Sequence, residues 1–367
     1  MAFELPDYSS LNPQQVDMIN LPTSRNFMIK GSPGTGKTVV AIYRAAQMRN
    51  KKVLMLVYNR PLMLYLKSAI EDLNLQNCTV NTYHSWMTAF YKSKFGTSAP
   101  KEDDFKHDYK EILDDCKNVT PSFDHVIVDE AQDFPKELLI LLTRVAKNIT
   151  CFIDSNQAIE PDKTDVVSAL EQFCIEAPFT LEFNYRNTKE IAAVSKLYWH
   201  NDGLFAKARR KGNRLPTMIH CDDYDDQTEY ICDIIRDHKD ATIGVFVNNK
   251  SLNVTYENLS YELEGEVDVE VYKSKGAYSN IDFNTSGVKI ISYGTMKGLE
   301  FDIVILAGFD RVKTTEDDVA NQNRAYVATS RARDDLYICY FNTKCNTTKW
   351  IDTMTAINSN KHLFQWT

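Results

Sequence analysis

The chain has 367 residues, of which 43% are hydrophobic and 25% are charged, and its formal net charge is −8. This length is sufficient for two domains of ordinary size, each with its own core. The negative balance argues against a protein that mainly coats nucleic acid, because such binding relies on clustered Lys and Arg; a narrow nucleic-acid groove is still allowed. Since no apolar run approaches the roughly 20 residues that cross a bilayer, we expect a soluble chain.

The first residues and the cysteines favour a cytoplasmic location. Residues 1–15, MAFELPDYSSLNPQQ, lack a basic region followed by an apolar core, so we expect no signal peptide. The 8 cysteines are scattered without CxxC spacing, which favours a reduced chain without a zinc site.

Short apolar runs alternate with amphipathic stretches along the chain, a pattern typical of parallel sheets covered by helices. Strands are predicted in the first half at 27–29, 53–57, 78–80, 125–129 and 149–154. Strands are predicted in the second half at 179–183, 217–220, 242–247, 267–272, 288–292, 302–308 and 335–340. We therefore predict an α/β fold with two tandem parallel-sheet domains, residues 1–177 and 178–367.

Two segments interrupt this pattern. Residues 91–122 contain the charged run KEDDFKHDYKEILDD, and residues 249–287 contain one predicted strand among polar loops. Each is interpreted as a small insertion, most simply a solvated surface flap.

The segment GSPGTGKT, residues 31–38, lies after a predicted strand and before a predicted helix. Only 13 glycines occur in the chain, yet this segment contains three of them. Backbone N–H groups free of Cβ atoms can surround phosphates there, and a helix N-terminus adds partial positive charge. The predicted nucleotide-binding residues are Gly31, Ser32, Pro33, Gly34, Thr35, Gly36, Lys37 and Thr38. Lys37 is expected to neutralise phosphate oxygens of ATP, and Thr38 to ligate Mg²⁺.

An acidic pair ends a predicted buried strand in VIVDEAQD, residues 126–133. In isolation such a pair is often only a helix cap. Downstream of a phosphate loop and at the carboxyl end of a strand, it favours a hydrolytic role. Asp129 is expected to hold Mg²⁺ through water, and Glu130 to take a proton from the attacking water.

GSPGTGKT and DEAQD together resemble the UvrD/Rep/PcrA branch of superfamily 1 helicases, and further matching motifs follow in the family's order from residue 11 to residue 335. The resemblance implies two tandem RecA-like domains with an ATP site in the cleft between them. It also implies a motor that opens and closes this cleft with each hydrolytic cycle.

The resemblance implies roles for particular residues. LNPQQ (11–15) places Gln15 at the adenine edge, and FIDSNQAIE (152–160) makes Gln157 a γ-phosphate sensor. In FNYRNTKEI (183–191), Tyr185 would stack on adenine and Arg186 would touch the γ-phosphate.

The remaining motifs carry further implied roles. In SYGTMKGLEFD (292–302), Glu300 is a ribose contact, while Thr295 and Lys297 lie near the nucleic-acid backbone. In NRAYVATSRARDD (323–335), Arg331 takes the position of the second arginine finger. VYNRPLMLYLK (57–67) and NTYHSW (81–86) resemble segments that grip single-stranded DNA, which implicates Asn59, Tyr83 and His84.

Several positions depart from the family's pattern. The base-stacking aromatic expected after the third motif is missing; Tyr83, His84, Trp86 and Tyr293 are either substitutes for it or ordinary core residues. Val39 stands where Arg often follows the phosphate loop, and is expected to form a weaker adenine clamp. The large helical insertions of the family are also missing, which indicates a compact motor core.

Two functions remain open from the sequence. The first is an Mg²⁺-dependent ATP hydrolase that moves 3′-to-5′ on single-stranded DNA, with RNA as the alternative nucleic acid. The second is a regulatory ATPase subunit of a DNA repair or anti-phage defence complex, which would signal to a nuclease or other effector partner. The basic run KARRKGNR (207–214) is either a nucleic-acid or partner contact or a solvated loop.

Overall fold

The computed structural model describes residues 5–103, 106–154, 165–173, 179–199, 205–272, 281, 285–312, 318–341 and 351–367. By their contacts, the residues form two compact units. The first unit contains residues Leu5–Ser32 and Gly36–Leu181, and the second contains Pro33–Thr35 and Glu182–Thr367.

The first unit is built on a parallel sheet covered on both faces. Its helices are α1 (Pro13–Ile19), α2 (Lys37–Ala46), α3 (Arg60–Asp72), α4 (Tyr83–Phe95), α5 (Tyr109–Asp115), α6 (Lys136–Val145) and α7 (Asp165–Phe173). Its strands are β1 (Phe27–Gly31), β2 (Val53–Val57), β3 (Cys78–Thr82), β4 (Phe123–Val128), β5 (Ala146–Ile153) and β6 (Phe179–Leu181). Within the described residues the strand order is β3-β2-β4-β5-β1-β6, and every neighbouring pair is parallel.

The second unit is built on another parallel sheet. Its helices are α8 (Lys189–Lys196), α9 (Tyr224–Asp237), α10 (Leu252–Glu262), α11 (Asp318–Thr329) and α12 (Ile351–Ser359). Its strands are β7 (Phe183–Thr188), β8 (Lys207–Arg210), β9 (Thr217–His220), β10 (Thr242–Val247), β11 (Val269–Val271), β12 (Gly287–Ser292), β13 (Phe301–Leu306), β14 (Ala332–Tyr340) and β15 (Gln365–Trp366). The main sheet has the order β11-β12-β10-β13-β14-β9-β15 among the described residues, and β7 pairs separately with β8.

Continuous apolar strands form these sheets because side chains on both faces are buried. In β2, Leu54 and Leu56 join one core cluster with α4, α5 and α6. The alternating residues Met55 and Val57 join a second cluster with α1, α2 and α3 on the opposite face. The prediction of an α/β fold with two tandem parallel-sheet domains is therefore confirmed.

The change of unit lies between Leu181 and Glu182, whereas sequence analysis placed it after residue 177. The reason is that Phe179–Leu181 pairs in parallel with β1, the strand that precedes the phosphate loop. The single strand predicted at 179–183 is thus two strands in different sheets, which no local pattern distinguishes.

Both segments that were interpreted as surface flaps contribute to hydrophobic cores. Tyr109, Ile112 and Cys116 of the first segment belong to the core beneath α6. Leu252 and Leu259 of α10 belong to the core of the second unit, and β11 extends that unit's sheet beside β12. The interpretation as solvated flaps is wrong for these described parts.

Buried His125 on β4 should make folding stability depend on pH. Its Nε2 lies 2.8 Å from the Thr150 hydroxyl, and burial together with the nearby Arg44 charge lowers its pKa to about 3. Between its ordinary pKa of about 6.5 and pH 3, the unfolded chain binds a proton that the folded chain does not. The folded state therefore loses stability as the pH falls below about 6.5, by about 1.4 kcal/mol at pH 5.5 from this group.

The free energy of unfolding in urea is measured at about pH 7.5 and at about pH 5.5. We expect His125→Gln to reduce the difference between the two values by the contribution of His125, about 1.4 kcal/mol. His362→Gln, on an exposed side chain, is the control and should keep the wild-type difference. An unchanged pH dependence in His125→Gln would contradict the assignment.

None of the helices in the described part of the chain combines the length and the apolar character needed to cross a membrane.

Candidate nucleotide and nucleic-acid site

The phosphate loop joins β1 to α2. Gly36 is the N-cap of α2 with φ of 85°, a left-handed conformation that suits glycine. A Cβ atom at this position would lie 2.4 Å from Nε2 of Gln15, so a larger residue would also displace the end of the Gln15 side chain. Lys37 is buried, and its ammonium donates to the carbonyl oxygens of Gly31 (2.8 Å) and Ser32 (3.4 Å). The loop thus holds a cation at the N-terminus of a ten-residue helix.

Gln15 is held by a capping box at the start of α1. Its main-chain N–H donates to the Asn12 side chain, and its side-chain oxygen accepts from the Asn12 N–H, both at 3.1 Å. The side-chain nitrogen points towards Gly36, as the distance to a Cβ there shows. Of the predicted nucleotide residues, Gln15, Gly36, Lys37 and Thr38 therefore lie together in the first unit.

The Thr38 hydroxyl donates to Oδ2 of Asp129 at 2.7 Å. Asp129 is buried, and burial followed by the neighbouring Glu130 charge raises its pKa to about 6. A hydroxyl and a carboxylate side by side are oxygen donors of the type that Mg²⁺ prefers. The two residues therefore fit the predicted Mg²⁺ site.

Glu130 adopts the left-handed conformation, with φ of 54° and ψ of 45°, which is uncommon outside glycine. Its N–H donates to Oδ1 of Asp129 (3.0 Å), and its carboxylate accepts from Nε2 of Gln132 (2.5 Å). Oε1 of Gln132 accepts in turn from the main-chain N–H of Asp154 at 3.0 Å. Strained backbone of this kind costs about 1–3 kcal/mol and concentrates at functional sites. Because its amide bonds both the Glu130 carboxylate and the main chain of Asp154, Gln132 orients the candidate general base. Sequence reasoning missed this role.

Arg44 is a second residue that sequence reasoning missed. Its guanidinium donates to Thr150 Oγ1 (2.9 Å) and to carbonyls near the end of α1, including those of Ile19 (3.2 Å) and Leu21 (2.8 Å). Burial lowers its pKa to about 10, so the group stays charged at neutral pH. It fastens the helix that carries Gln15 to the helix that carries Lys37. A lone arginine within the apolar run VVAIYRAA of α2 was the available signal.

In the second unit the structure brings together the motif residues Arg186, Glu300 and Arg331. The Arg186 guanidinium forms an ion pair with Oε2 of Glu300, at 2.6 Å from Nε and 2.5 Å from Nη2. Arg331 is 1% exposed, and its guanidinium donates to the carbonyl oxygens of Val327 (3.0 Å) and Leu299 (3.3 Å). Leu299 directly precedes Glu300, so Arg186 and Arg331 bind two adjacent residues of the chain.

Tyr185 is exposed, with 38% of the residue accessible, as a stacking residue requires. Within the same unit its N–H donates to the carbonyl oxygen of Gly34 at 2.8 Å. A Cβ atom at Gly34 would lie 2.3 Å from Oδ1 of Asn184, so only glycine fits there.

The predicted nucleic-acid residues have different environments. Asn59 caps α3 by accepting from the Leu62 N–H at 2.9 Å, and Thr295 packs its hydroxyl 3.0 Å from that of Ser292. Lys297 is buried.

The aromatic substitutes for the missing stacking residue are mostly core residues. Tyr83, Trp86 and Tyr293 are buried, and the Tyr293 hydroxyl donates to Ala307 O at 3.1 Å. His84 is exposed, with its ring 3.8 Å from the Tyr83 ring. His84 is therefore the one of the four that presents its ring to the surface. Gln157 lies outside the described residues.

The basic run at 207–214 is partly strand β8 rather than a solvated loop. Arg210 is paired with Asp334, Arg214 lies 3.1 Å from Asp335, and the Arg209 guanidinium covers the Phe183 ring at 3.7 Å. The three arginine side chains therefore contact other residues of the second unit.

Comparison with known proteins decides the family. The family model described as "Schlafen group 3, DNA/RNA helicase domain" matches residues 24–256, well over half of the chain. The chain belongs to this family. A second model, the UvrD-like helicase C-terminal domain, matches residues 272–343, which include Glu300 and Arg331. The predicted resemblance to UvrD-like helicases is confirmed by these two matches.

Solved helicase structures resemble this Schlafen group 3 helicase domain only distantly. The helicase of an arterivirus, nonstructural protein 10, is 13% identical in a complex with DNA (TM-score 0.46) and 15% identical in a second structure (TM-score 0.45). Each comparison covers 91% of this chain and 64% of the viral chain, so this chain spans less than two thirds of that protein's length.

A third structure is the C-terminal domain of a possible DNA helicase from Lactobacillus plantarum. It is 18% identical (TM-score 0.36), with 50% of this chain and 98% of that chain covered. No curated protein matches the chain.

Proposed function

We propose that this helicase domain hydrolyses ATP with Mg²⁺ and uses the energy to move 3′-to-5′ along single-stranded DNA. The observation that carries the proposal is the arrangement at the end of β4, where Glu130 occupies a strained turn beside the Thr38–Asp129 pair. A structural cap has no need of a left-handed glutamate, whereas a general base needs a fixed direction.

The residues of the first unit have complementary parts in this proposal. Lys37 neutralises phosphate oxygens of ATP, and Thr38 and Asp129 hold Mg²⁺, which when bound offsets charge on the β- and γ-phosphates. Glu130 accepts a proton from the water whose oxygen attacks the γ-phosphorus, while the bond to the β–γ bridging oxygen breaks. Gln15 binds the adenine edge.

Residues of the second unit are proposed to act on the same nucleotide. Arg186 and Arg331 stabilise the charge that develops on the transferred phosphoryl group, as arginine fingers do. Tyr185 stacks on the adenine and Glu300 contacts the ribose. The present pairing of Arg186 with Glu300 implies that nucleotide binding redistributes these contacts, because one carboxylate cannot serve both partners fully.

The proposed nucleic-acid contacts centre on His84. The exposed ring of His84 is suited to stacking against a base, and stacking contributes about 1–3 kcal/mol per base. Asn59 and Thr295 complete the proposed contact set, whereas Tyr83 and Lys297 are buried and would have to become accessible before they contact nucleic acid.

We expect ATP hydrolysis to rise many-fold on addition of single-stranded DNA. The measurement is the steady-state rate with single-stranded DNA, single-stranded RNA, duplex DNA and tailed duplexes, in each case with Glu130→Gln as the inactive control. Displacement of streptavidin from a 3′ or a 5′ biotin then reports direction, and faster release from the 5′ end supports 3′-to-5′ movement. Absence of stimulation by any of these nucleic acids would contradict the proposed motor.

A further inference from the structure

We propose that Asn187 is a positioning residue for ATP hydrolysis, because its side-chain amide ties the main chain around Arg331 to the main chain around Arg186. The inference rests on the proposed function, which assigns both arginines to phosphoryl transfer. Asn187 itself contacts no reacting atom in this scheme. Its effect would be to set the separation and direction of the two guanidinium groups.

The turn that carries Arg186 is organised by Asn184. Oδ1 of Asn184 accepts from the main-chain N–H groups of Arg186 (2.9 Å) and Asn187 (3.0 Å). Nδ2 of Asn184 donates to Oδ1 of Asn187 at 2.7 Å. The two side chains are only 3% and 1% exposed, so water does not compete for these hydrogen bonds.

Asn187 links this turn to the main chain on both sides of Arg331. Its Nδ2 donates to the carbonyl oxygens of Ser330 (3.1 Å) and Ala332 (2.6 Å). These residues stand on either side of Arg331, so one amide group holds both flanks of that residue. No strand ladder makes these bonds, since β7 pairs with β8 among the described strands and β14 pairs with β13 and β9.

The hydrogen bonds form a closed circuit. Arg331 donates to the carbonyl of Leu299 at 3.3 Å, and the next residue, Glu300, accepts from the Arg186 guanidinium. Asn184 and Asn187 complete the path from Arg186 back to the flanks of Arg331. A closed circuit of this kind resists displacement of any single member, because several bonds must lengthen together.

Arg210 joins the same two segments a second time. Its Nη1 donates to the carbonyl oxygens of Arg186 (2.6 Å) and Arg333 (3.2 Å), and its guanidinium also pairs with Asp334. Strand β8 therefore supplies a second link between the two segments.

The chemistry selects asparagine at position 187. The site requires two N–H donors for two carbonyls and one acceptor for Asn184, on a short planar group. Aspartate would turn oxygens towards the two carbonyls, and alanine would leave both carbonyls and one amide without a partner. A displacement of about 1 Å in a group that acts on a transition state can cost about 10²-fold in rate.

We expect Asn187→Ala to lower kcat for ATP by about 10²-fold while the KM for ATP changes little. The decisive measurement is a double-mutant cycle with Arg186→Ala. If Asn187 acts through both arginines, then Asn187→Ala causes a smaller loss once Arg186 is gone, because only the share that acts through Arg331 remains. A role in general stability would instead lower activity by the same factor in both backgrounds.

The matched control is Asn77→Ala. Nδ2 of Asn77 also donates to two carbonyls, those of Met48 (2.8 Å) and Lys51 (2.7 Å), but it lies in the first unit. This variant loses the same kind of hydrogen bonds and should keep the wild-type kcat. If the Asn187 variant does not fold, Arg210→Met in the same cycle tests the tie from its second side.

The outcomes separate this inference from the proposed function. A wild-type chain without ATP hydrolysis would contradict the proposed function itself. An active wild type, an inactive Arg186→Ala and a fully active Asn187→Ala would overturn the positioning role alone. Equal losses from Asn187→Ala with and without Arg186 would overturn it as well.

Discussion

Replacement of Glu130 by glutamine is expected to lower the turnover number for ATP by about 10³-fold, within the range of general acid–base catalysis. The glutamine side chain has the same shape but cannot accept the proton of the attacking water. ATP affinity should be retained, because Lys37 and Thr38 are unchanged and the altered carboxylate carries no assigned contact to the nucleotide. The measurements are steady-state hydrolysis and equilibrium binding of a fluorescent ATP analogue.

The matched control for this prediction is Glu137→Gln, which removes the same charge from the first turn of α6 in the same unit. It should retain both hydrolysis and binding. A Glu130→Gln variant with nearly wild-type turnover would show that another group serves as the base. Loss of ATP binding in that variant would show that Glu130 supports the site rather than the reaction.

Removal of the Arg186 guanidinium is expected to have the second large effect, since arginine fingers contribute about 10³ to 10⁵ in rate. Arg186→Ala should lower kcat by this order, with a smaller change in the KM for ATP. Arg186→Lys should recover only part of the loss, because an ammonium cannot reproduce the planar, two-pronged contact. The measurement is hydrolysis at saturating ATP with and without single-stranded DNA.

Arg209→Ala is the control for Arg186→Ala. Arg209 lies in neighbouring strand β8, where its guanidinium stacks on Phe183 and has no assigned part in phosphoryl transfer. Unchanged kcat in Arg186→Ala would remove this residue from the reaction. Unchanged kcat in Arg209→Ala together with a large loss in Arg186→Ala would assign the effect to the finger position rather than to lost positive charge.

Elements with continuous local signals could be predicted from the sequence. The apolar run VLMLV was predicted as a strand at 53–57, and the strand Val53–Val57 has those bounds. The start of α2 at Lys37 follows from the glycine-rich loop before it. β8 was missed because KARR is a charged sequence, which gains strand structure only through its pairing with β7.

Side-chain partners in the candidate site were less predictable. The types and motif positions of Thr38, Asp129 and Glu130 were sufficient to group them, because a phosphate loop and an acidic strand end have a recurrent relation. The partners of Asn187 at Ser330 and Ala332 lie more than a hundred residues along the chain, and nothing near Asn187 in the sequence indicates them. Tyr83 and Trp86 are likewise buried in a core cluster that includes residues of α5 and α6, which lie far along the chain from them.

By itself, the sequence determined the two α/β domains, the phosphate loop and the acidic strand end, because each depends on residues that are close together in the chain. Only the tertiary structure decided that β6 completes the first sheet, that Glu130 adopts a left-handed turn and that Arg186 pairs with Glu300. These features arise from contacts between distant segments, where packing and hydrogen bonding select one arrangement among many that local preferences allow.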